Sequence, residues 1–266
     1  MSAFEPNDAL RAALDGKLEP WLMRSLGRLG AAVGRFGLVR DGDAVLVGIS
    51  GGKDSLALAL LLELRRRRVK DRYRLGAAMA LWDEFPFPDA YLETLEGFFR
   101  LIGVPFSTVR GSIYGERGSA GFSCYRCSRQ RRRLVFGEAL RRGFPVVAFG
   151  HHLDDFAQTA LSNLAERGVL ETMPPRRSWL DGSVEVVRPL MMLREASIRT
   201  AAARLGLPVL DAECPFKEDN RRLELAPIVA NLSKMHRLAR EKIVEAALSV
   251  TVSGEGAGES AWKSAT

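Results

Sequence analysis

Short apolar runs alternate with longer amphipathic stretches through most of the chain. Runs rich in branched apolar residues, with the length of buried strands, occur at 44–49, 75–81, 105–109, 145–149 and 184–190. Stretches with apolar residues at helical spacing lie between them, at 56–67, 89–101, 128–142, 156–166 and 198–205. Because strands that alternate with helices form parallel sheets covered on both faces, the pattern predicts an α/β fold with a doubly wound, mostly parallel sheet.

The two ends of the chain depart from this alternation. Residues 1–40 carry one apolar stripe at helical spacing, which predicts a helical segment packed on the main domain and needs no chemical role. Residues 208–210 suit a strand or an extended segment, and 221–248 a long helical region broken near Pro227. Residues 251–266 are rich in Gly, Ser and Ala and predict a disordered tail. The expected organisation is a helical segment at 1–40, one α/β domain at 41–250 and the tail.

Composition narrows the class of protein. The 266 residues are 47% hydrophobic and 27% charged, enough for one sizeable core, and exclude a disordered or fibrous chain. Lys and Arg number 39 against 32 Asp and Glu, a net charge of +7 that favours a polyanionic partner, although a mildly basic surface would give the same excess. Three cysteines cannot form a disulfide framework, and no long apolar run marks a leader or a membrane span. We therefore expect a soluble cytoplasmic protein.

A glycine loop follows the first predicted strand, with the sequence Ser-Gly-Gly-Lys-Asp-Ser at 50–55. Ligands of doubly wound sheets bind at this end of a strand, where free N–H groups, a helix N-terminus and Lys53 would form a cradle for an anion. A tight turn with a capping serine is the structural alternative. The loop resembles the signature of the ATP pyrophosphatase, or PP-loop, superfamily. The resemblance implies cleavage of ATP between the α and β phosphates, magnesium near Asp54, and pyrophosphate held by Ser50, Gly51, Gly52, Lys53, Asp54 and Ser55.

A second polar cluster, Gly-His-His-Leu-Asp-Asp at 150–155, follows the strand predicted at 145–149. Asp154 and Asp155 are placed to cap the next helix, and carboxylates there also suit Mg²⁺ or, with the histidines, zinc. The cluster is similar to the second motif of the same superfamily. The resemblance implies that Gly150, His152 and Asp155 face the nucleotide and its magnesium, with Trp82 where the superfamily holds adenine. Lys53, Asp54 and Asp155 are then the predicted catalytic residues.

The three cysteines form a third candidate site. Cys124 and Cys127 open a basic predicted helix, and Cys214 lies almost ninety residues later. A helix N-terminus beside arginines favours thiolates, which are good ligands for soft metals. The residues alone leave open a zinc site, a redox disulfide, and an iron–sulfur cluster with one iron lacking a protein ligand.

Several motifs in one order resemble the tRNA 2-thiocytidine synthetase family. They are Ser-Cys-x-x-Cys-Ser-Arg at 123–129, the cluster at 150–155, Met-Pro-Pro-Arg at 173–176, Val-Arg-Pro-Leu at 187–190 and Cys214. The resemblance covers about residues 20–248. It implies an ATP-dependent tRNA sulfur transferase that adenylates the C2 oxygen of a cytidine and replaces it with sulfur. Cys124, Cys127 and Cys214 would hold a [4Fe-4S] cluster in an insertion of the α/β domain.

The same resemblance suggests binding partners for the protein and leaves alternative functions open. It implies tRNA, a sulfur donor such as a cysteine desulfurase or free sulfide, and a homodimer. Many members have a second Cys-x-x-Cys at the distal site, whereas Pro215, Phe216 and Lys217 follow Cys214 here. Thiolation of another base or of a small molecule, and a sensor that binds nucleotide and RNA without turnover, are therefore the alternatives.

Arginines cluster one turn beyond the first cysteine pair. The group consists of Arg129, Arg131, Arg132 and Arg133. Arginines at this density suit contacts with a phosphate backbone, so we expect them to guide RNA toward the cluster.

Overall fold

Six strands form one sheet in the computed structural model, which describes residues 4–113, 124–210 and 222–253. The strands are β1 (Ala44–Ile49), β2 (Arg74–Trp82), β3 (Phe106–Gly111), β4 (Val146–Ala148), β5 (Arg176–Trp179) and β6 (Val184–Val187). Their order across the sheet is β3-β2-β1-β4-β6-β5, with every neighbouring pair parallel except β5 and β6. The predicted doubly wound, mostly parallel sheet is confirmed. The chain order reverses between β1 and β4, which is where such sheets bind ligands.

The described ranges contain nine helices. They are α1 (Asp8–Leu14), α2 (Pro20–Phe36), α3 (Lys53–Arg66), α4 (Asp89–Ile102), α5 (Cys124–Arg141), α6 (Leu153–Arg167), α7 (Glu195–Arg204), α8 (Arg222–Met235) and α9 (Ala239–Ser253). None of these helices has the length and apolar character needed to cross a membrane.

Alternate residues of β1 enter two different cores. Val45, Val47 and Ile49 join the larger core, which packs on one face of the sheet and contains residues of α2, α3, α4, α6 and α7. Leu46 joins a smaller core with Phe136 of α5 on the other face. Because both faces are covered, all six residues of β1 are buried, which explains the unbroken apolar run in the sequence.

The structure differs from the sequence predictions at β5 and at Pro227, and it decides between the two alternatives predicted for 208–210. Strand β5 was not predicted because it is a short polar edge strand, in which Arg177 and Ser178 are exposed. The segment 208–210 does not join the sheet; the N–H of Leu210 instead donates to the carbonyl of Gly51 at 3.1 Å. The predicted break near Pro227 is wrong.

Pro227 lies inside α8, and the helical region is interrupted only after Met235. Proline removes one helical hydrogen bond, but the buried side chain of Val229 and the contact between α8 and α6 keep the helix continuous. Helix α9 ends at Ser253, inside the segment predicted as a tail, and residues 254–266 lie outside the described ranges.

Candidate active site

The two polar motifs meet where β1 and β4 lie side by side. A Cβ atom on Gly150 would lie 2.9 Å from the carbonyl carbon of Asp54 and 3.1 Å from the nitrogen of Ser55. Backbone atoms cannot move aside as a flexible side chain can, so only glycine allows this approach. The two motifs, far apart in the sequence, therefore form the wall of one site.

Hydrogen bonds within the glycine loop fix its shape. The hydroxyl of Ser55 donates to the carbonyl of Gly52 at 2.9 Å, and the N–H of Gly52 donates to the hydroxyl of Ser50 at 3.3 Å. Gly51 has a φ of +87°, a conformation that side chains disfavour. No side chain caps the N-terminus of α3, so the positive end of this helix is available to an anion.

The carbonyl of Gly51 is held by two donors from distant parts of the chain. The N–H of Leu210 donates to it at 3.1 Å, and the hydroxyl of Tyr91 shares its proton between this carbonyl and that of Pro208, each at 3.2 Å. Burial raises the pKa of Tyr91 to about 12, so its hydroxyl stays protonated and remains a donor. The loop is thus supported from α4 and from the segment that leads toward Cys214.

Lys53 makes ion pairs with Asp54 at 3.2 Å and with Glu195 at 3.1 Å. Burial lowers the pKa of Lys53, but the two carboxylates outweigh burial and raise the pKa above its ordinary value. For Glu195 the largest effect is burial, which raises the pKa of an acid. Hydrogen bonds and ion pairs with Arg199 and Lys53 outweigh burial, so the net pKa of Glu195 is lowered. Sequence reasoning missed Glu195, because it belongs to no motif and reaches Lys53 only through the packing of α7 against α3.

Asp54 and Asp155 both line a cleft between the two motifs, and they lie on either side of the buried side chain of His152. The N–H of His152 donates to Oδ2 of Asp155 at 2.9 Å, and Nδ1 of His152 accepts from the N–H of Asp155 at 3.4 Å, a reciprocal cap on α6. Oδ1 of Asp54 is buried without a hydrogen-bond partner, 3.9 Å from Nε2 of His152. A pair of carboxylates with spare acceptor capacity fits Mg²⁺, which commonly takes one or two carboxylates together with substrate phosphates.

The zinc alternative at this cluster is not supported. Throughout the described ranges, no group of three or more His, Cys, Asp or Glu side chains is arranged to hold a metal ion. Asp154 is instead engaged by protein donors, since Oδ1 accepts from Nε of Arg240 at 2.5 Å and Oδ2 from the N–H of Glu195 at 2.7 Å. This carboxylate connects α6 to α7 and α9.

A cleft of about 620 Å³ opens between the two motifs, α5 and the β5–β6 pair. The predicted site residues that line it are Ser50, Asp54, Ser55, Arg131, Arg132, Gly150 and Asp155. Gly51, Gly52, Lys53 and His152 belong to the same loops without lining the cleft. Trp82 is buried at the end of β2 beneath Arg131, whose guanidinium carbon lies 5.9 Å from the ring centre, and it does not line the cleft either.

The predicted cysteine site is only partly described. Cys124 begins α5, and Cys127 is half-buried in its first turn, next to Ser128, which lines the cleft. Cys214 lies outside the described residues. Of the predicted RNA-binding arginines, Arg129 and Arg133 are exposed, whereas Arg131 and Arg132 border the cleft.

Two further arginines, Arg177 and Arg188, line the cleft beside Arg132. Arg188 is only 8% exposed; its Nη1 donates to the carbonyl of Pro174 at 2.5 Å, and its Nε is buried without a hydrogen-bond partner. Burial, followed by the charges of Arg132 and Arg177, lowers the pKa of Arg188 to about 10. The sequence offered one usable signal, since Arg188 directly follows a strand that ends at the ligand-binding edge of the sheet.

Comparisons with known proteins agree with this geometry. The PP-loop domain family matches residues 27–214. The chain is 33% identical over 224 residues to the tRNA-cytidine(32) 2-sulfurtransferases of Syntrophotalea carbinolica and Geobacter sulfurreducens, covering 82% of this chain and 85% and 86% of theirs. The chain belongs to the PP-loop tRNA-cytidine(32) 2-sulfurtransferase family. The family predicted from the motifs is confirmed, and with it that the chain is an enzyme of the transferase class.

A solved structure supports the fold. The U34-tRNA thiolase NcsA from Methanococcus maripaludis, described with its [4Fe-4S] cluster, aligns with a TM-score of 0.69. The alignment covers 86% of this chain and 78% of NcsA at 23% sequence identity. At that identity the likeness establishes a shared fold.

Proposed function

We propose that this enzyme replaces the C2 oxygen of cytidine 32 in tRNA with sulfur, at the expense of ATP. The observation that carries the proposal is the meeting of both PP-loop motifs around one cleft with residues of the cysteine-bearing helix α5, beginning at Ser128 directly after Cys127. The base and its position come from the names of the relatives. Because tRNA is the substrate, we place the enzyme in the cytoplasm; a homodimer stays a prediction.

The reaction needs activation because a carbonyl oxygen is a poor leaving group. The C2 oxygen attacks the α-phosphorus of ATP, the bond to the β-phosphate breaks, and pyrophosphate leaves. A sulfur nucleophile then forms a bond to C2, and AMP departs with the oxygen. This sequence yields one AMP and one pyrophosphate for each thiolated base.

The glycine loop would hold the departing pyrophosphate. Lys53 and the backbone amides at the N-terminus of α3 supply positive charge where the leaving group gains negative charge, and each well-placed donor of this kind contributes about 3 kcal/mol. Asp54 and Asp155 would hold Mg²⁺ against the same phosphates, since their carboxylates line the cleft. Glu195 would keep Lys53 positioned before ATP binds.

Cys124, Cys127 and Cys214 would hold a [4Fe-4S] cluster. When bound, such a cluster supplies sulfur at the iron that has no protein ligand. Two observations favour this set of ligands: Cys127 lies next to the cleft-lining Ser128, and Leu210, four residues before Cys214 in the sequence, is hydrogen-bonded to the glycine loop. Free sulfide or a cysteine desulfurase would replenish the sulfur.

Reconstitution tests the proposal. Protein prepared without air is supplied with iron and sulfide, then incubated with an unmodified tRNA transcript, ATP, Mg²⁺ and sulfide. We expect mass spectrometry of the digested tRNA to show 2-thiocytidine, with AMP released in equal amount and no product when ATP is omitted. A Lys53→Met variant should bind tRNA normally and form little product. Absence of any thiolated nucleoside would refute the proposed function, and full activity of a Cys214→Ala variant would refute the cluster assignment.

A further inference from the structure

Two aromatic side chains line the cleft on the side away from β2. Phe149 directly follows β4 and Trp179 ends β5, and both side chains are half-buried. Both rings pack on the buried ring of Phe136 in α5, whose centre lies 6.3 Å from that of Phe149 and 6.0 Å from that of Trp179. Because one buried ring supports them both, Phe149 and Trp179 form a rigid apolar wall of the cleft.

Gly48 and His151 determine where the ring of Phe149 lies. A Cβ atom on Gly48 would lie 2.5 Å from Cε1 and 2.9 Å from Cδ1 of Phe149, so the ring rests on β1 only because this residue is glycine. The ring of His151, which also lines the cleft, stands at 74° to the ring of Phe149, with 6.2 Å between the ring centres. Below, Phe149, His151 and Trp179 are called the aromatic corner.

The aromatic corner shares the cleft with the groups that both chemical steps use. Asp54 and Ser55 of the glycine loop line the cleft, and so does Ser128, which directly follows Cys127. One atom, C2 of the target base, must reach the α-phosphorus through its oxygen in the first step and a sulfur in the second. The target base must therefore enter this cleft, where a flat apolar surface can hold its planar ring.

We propose that the aromatic corner binds the target nucleobase of the RNA, with the ring of the base stacked on Phe149. Proteins that recognise RNA by sequence commonly take an unpaired base out of the strand and stack it on aromatic side chains. The cleft volume of about 620 Å³ lies within the range of about 300 to 1,000 Å³ typical of ligand sites, so it can hold an extruded base. This inference rests on RNA being the substrate of the proposed function.

The adenine of ATP is the other planar ring that the proposed reaction brings to this enzyme. Adenine takes no part in the bond changes, so it can lie wherever the ribose allows. C2 of the target base, in contrast, must itself lie within reach of both the phosphorus and the sulfur. A rigid wall inside the cleft suits the ring whose exact position decides the rate of reaction, which is the ring of the target base.

A cycle of changes in the protein and in the RNA tests this assignment without turnover. Two versions of one tRNA are assembled from synthetic fragments, with either cytidine or an abasic ribose at position 32. Fluorescence anisotropy gives the affinity of each tRNA for the wild type, Phe149→Leu and Phe106→Leu, all prepared without air and supplied with iron and sulfide. Phe106 is the matched control, because it is half-buried and stacks on Phe99 but belongs to β3, at the far edge of the sheet. The affinity of a non-hydrolysable ATP analogue is measured in parallel.

We expect the wild type to bind the cytidine tRNA about tenfold more tightly than the abasic tRNA, since stacking of one base on an aromatic ring contributes a factor of this order. In Phe149→Leu this ratio should fall to about twofold, while the affinity for the abasic tRNA stays unchanged. Phe106→Leu should keep the ratio of the wild type. Affinity for the ATP analogue should stay within about twofold of the wild type in both variants.

The results that overturn this assignment differ from those that refute the proposed function. Equal or absent binding of the two tRNAs by the wild type, or an unchanged ratio in Phe149→Leu, would overturn the assignment even if the enzyme thiolates tRNA. A loss of affinity for the ATP analogue instead of the cytidine tRNA would overturn it too, and would assign the aromatic corner to adenine. The expected ratios without any thiolated base would refute the proposed function and leave this base site standing. Should Phe149→Leu unfold in a thermal melt, the same ratio measured for Trp179→Leu decides.

Discussion

Gly150 is the residue on which contact between the two loops of the active site depends. A methyl group there would meet the backbone at Asp54 and Ser55, so Gly150→Ala must push the loops apart. We expect it to lower the free energy of unfolding by about 1 to 3 kcal/mol and to weaken ATP binding at least tenfold. Denaturant unfolding and titration with a non-hydrolysable ATP analogue measure the two effects.

A second glycine provides the control for this prediction. Gly27 lies in α2, and a Cβ there has no atom within 4 Å. Gly27→Ala should therefore raise the free energy of unfolding by up to about 1 kcal/mol through helix propensity, with ATP binding unchanged. Wild-type ATP affinity in Gly150→Ala would contradict the argument that close approach of the loops builds the nucleotide site.

The ionisation of Glu195 makes part of the free energy of unfolding depend on pH. Its pKa in the folded protein lies below the ordinary value of 4.5, because hydrogen bonds from Arg199 and Lys53 outweigh burial. The ionised carboxylate therefore stabilises the fold above about pH 4.5, and this contribution disappears as the pH falls through the lowered pKa. In urea unfolding at a series of pH values, Glu195→Gln should be less stable than the wild type at pH 7, with the difference shrinking in acid. A difference that is constant across this range would contradict the ion pair.

The helices α6, α7 and α9 are joined through one carboxylate. Asp154 is buried, accepts from Arg240 at 2.5 Å and accepts from the N–H of Glu195 at 2.7 Å. Asp154→Asn leaves the guanidinium of Arg240 without its charge partner, so we expect a loss of about 3 kcal/mol in the free energy of unfolding. ATP-dependent activity per folded molecule should change little, because Asp154 does not line the cleft.

Asp155, the next residue along the helix, provides a matched comparison for the Asp154 variant. In Asp155→Asn the amide oxygen still caps α6, so the loss of stability should stay below about 1 kcal/mol. Loss of the proposed magnesium ligand should nevertheless reduce ATP-dependent AMP release by about 100-fold or more. Denaturant unfolding and AMP release are measured on both variants. Equal effects on stability would show that the two adjacent carboxylates do not have separate roles.

Strands and helices with a clear local pattern were predictable from the sequence. Those that depend on contacts with residues far away in the sequence were not. Strands β1 and β2 give unbroken apolar runs, and α3 begins at the glycine loop, so local sequence places all three. Strand β5 is short and polar, and it becomes a strand only through pairing with β6. Likewise α8 passes through Pro227 because tertiary packing outweighs local preference.

The residues of the site also fall into those that the sequence predicts and those that it does not. Ser50–Ser55 and Gly150–Asp155 are contiguous motifs, which a sequence displays directly. Glu195 reaches Lys53, and Arg177 and Arg188 reach the cleft, only because the topology brings several elements to one edge of the sheet. Asp154 binds protein groups and Asp155 lines the cleft, because consecutive residues of a helix point in different directions around its axis.

At the scale of the whole molecule, the proposed cluster would join parts of the chain that lie on either side of the second motif in the sequence. If the cysteines hold a common cluster, Cys127→Ser should abolish bound iron, visible absorption and thiolation. Affinities for ATP and tRNA should remain within about twofold, because neither is expected to bind through the thiolate. Iron content and the absorption spectrum of protein purified without air measure this result. Wild-type iron content in Cys127→Ser would exclude Cys127 as a ligand.

Strand β5 ends the sheet, and no other described strand pairs with its outer side. An open strand edge is a template on which another polypeptide can add, and charged side chains along it are a common protection against aggregation. Arg176 and Arg177 of β5 supply such charges. We expect the exposed charge of Arg177 to discourage such addition. Replacing Arg177 with an apolar residue should therefore promote association of folded molecules through this edge, which light scattering of the purified variant would detect.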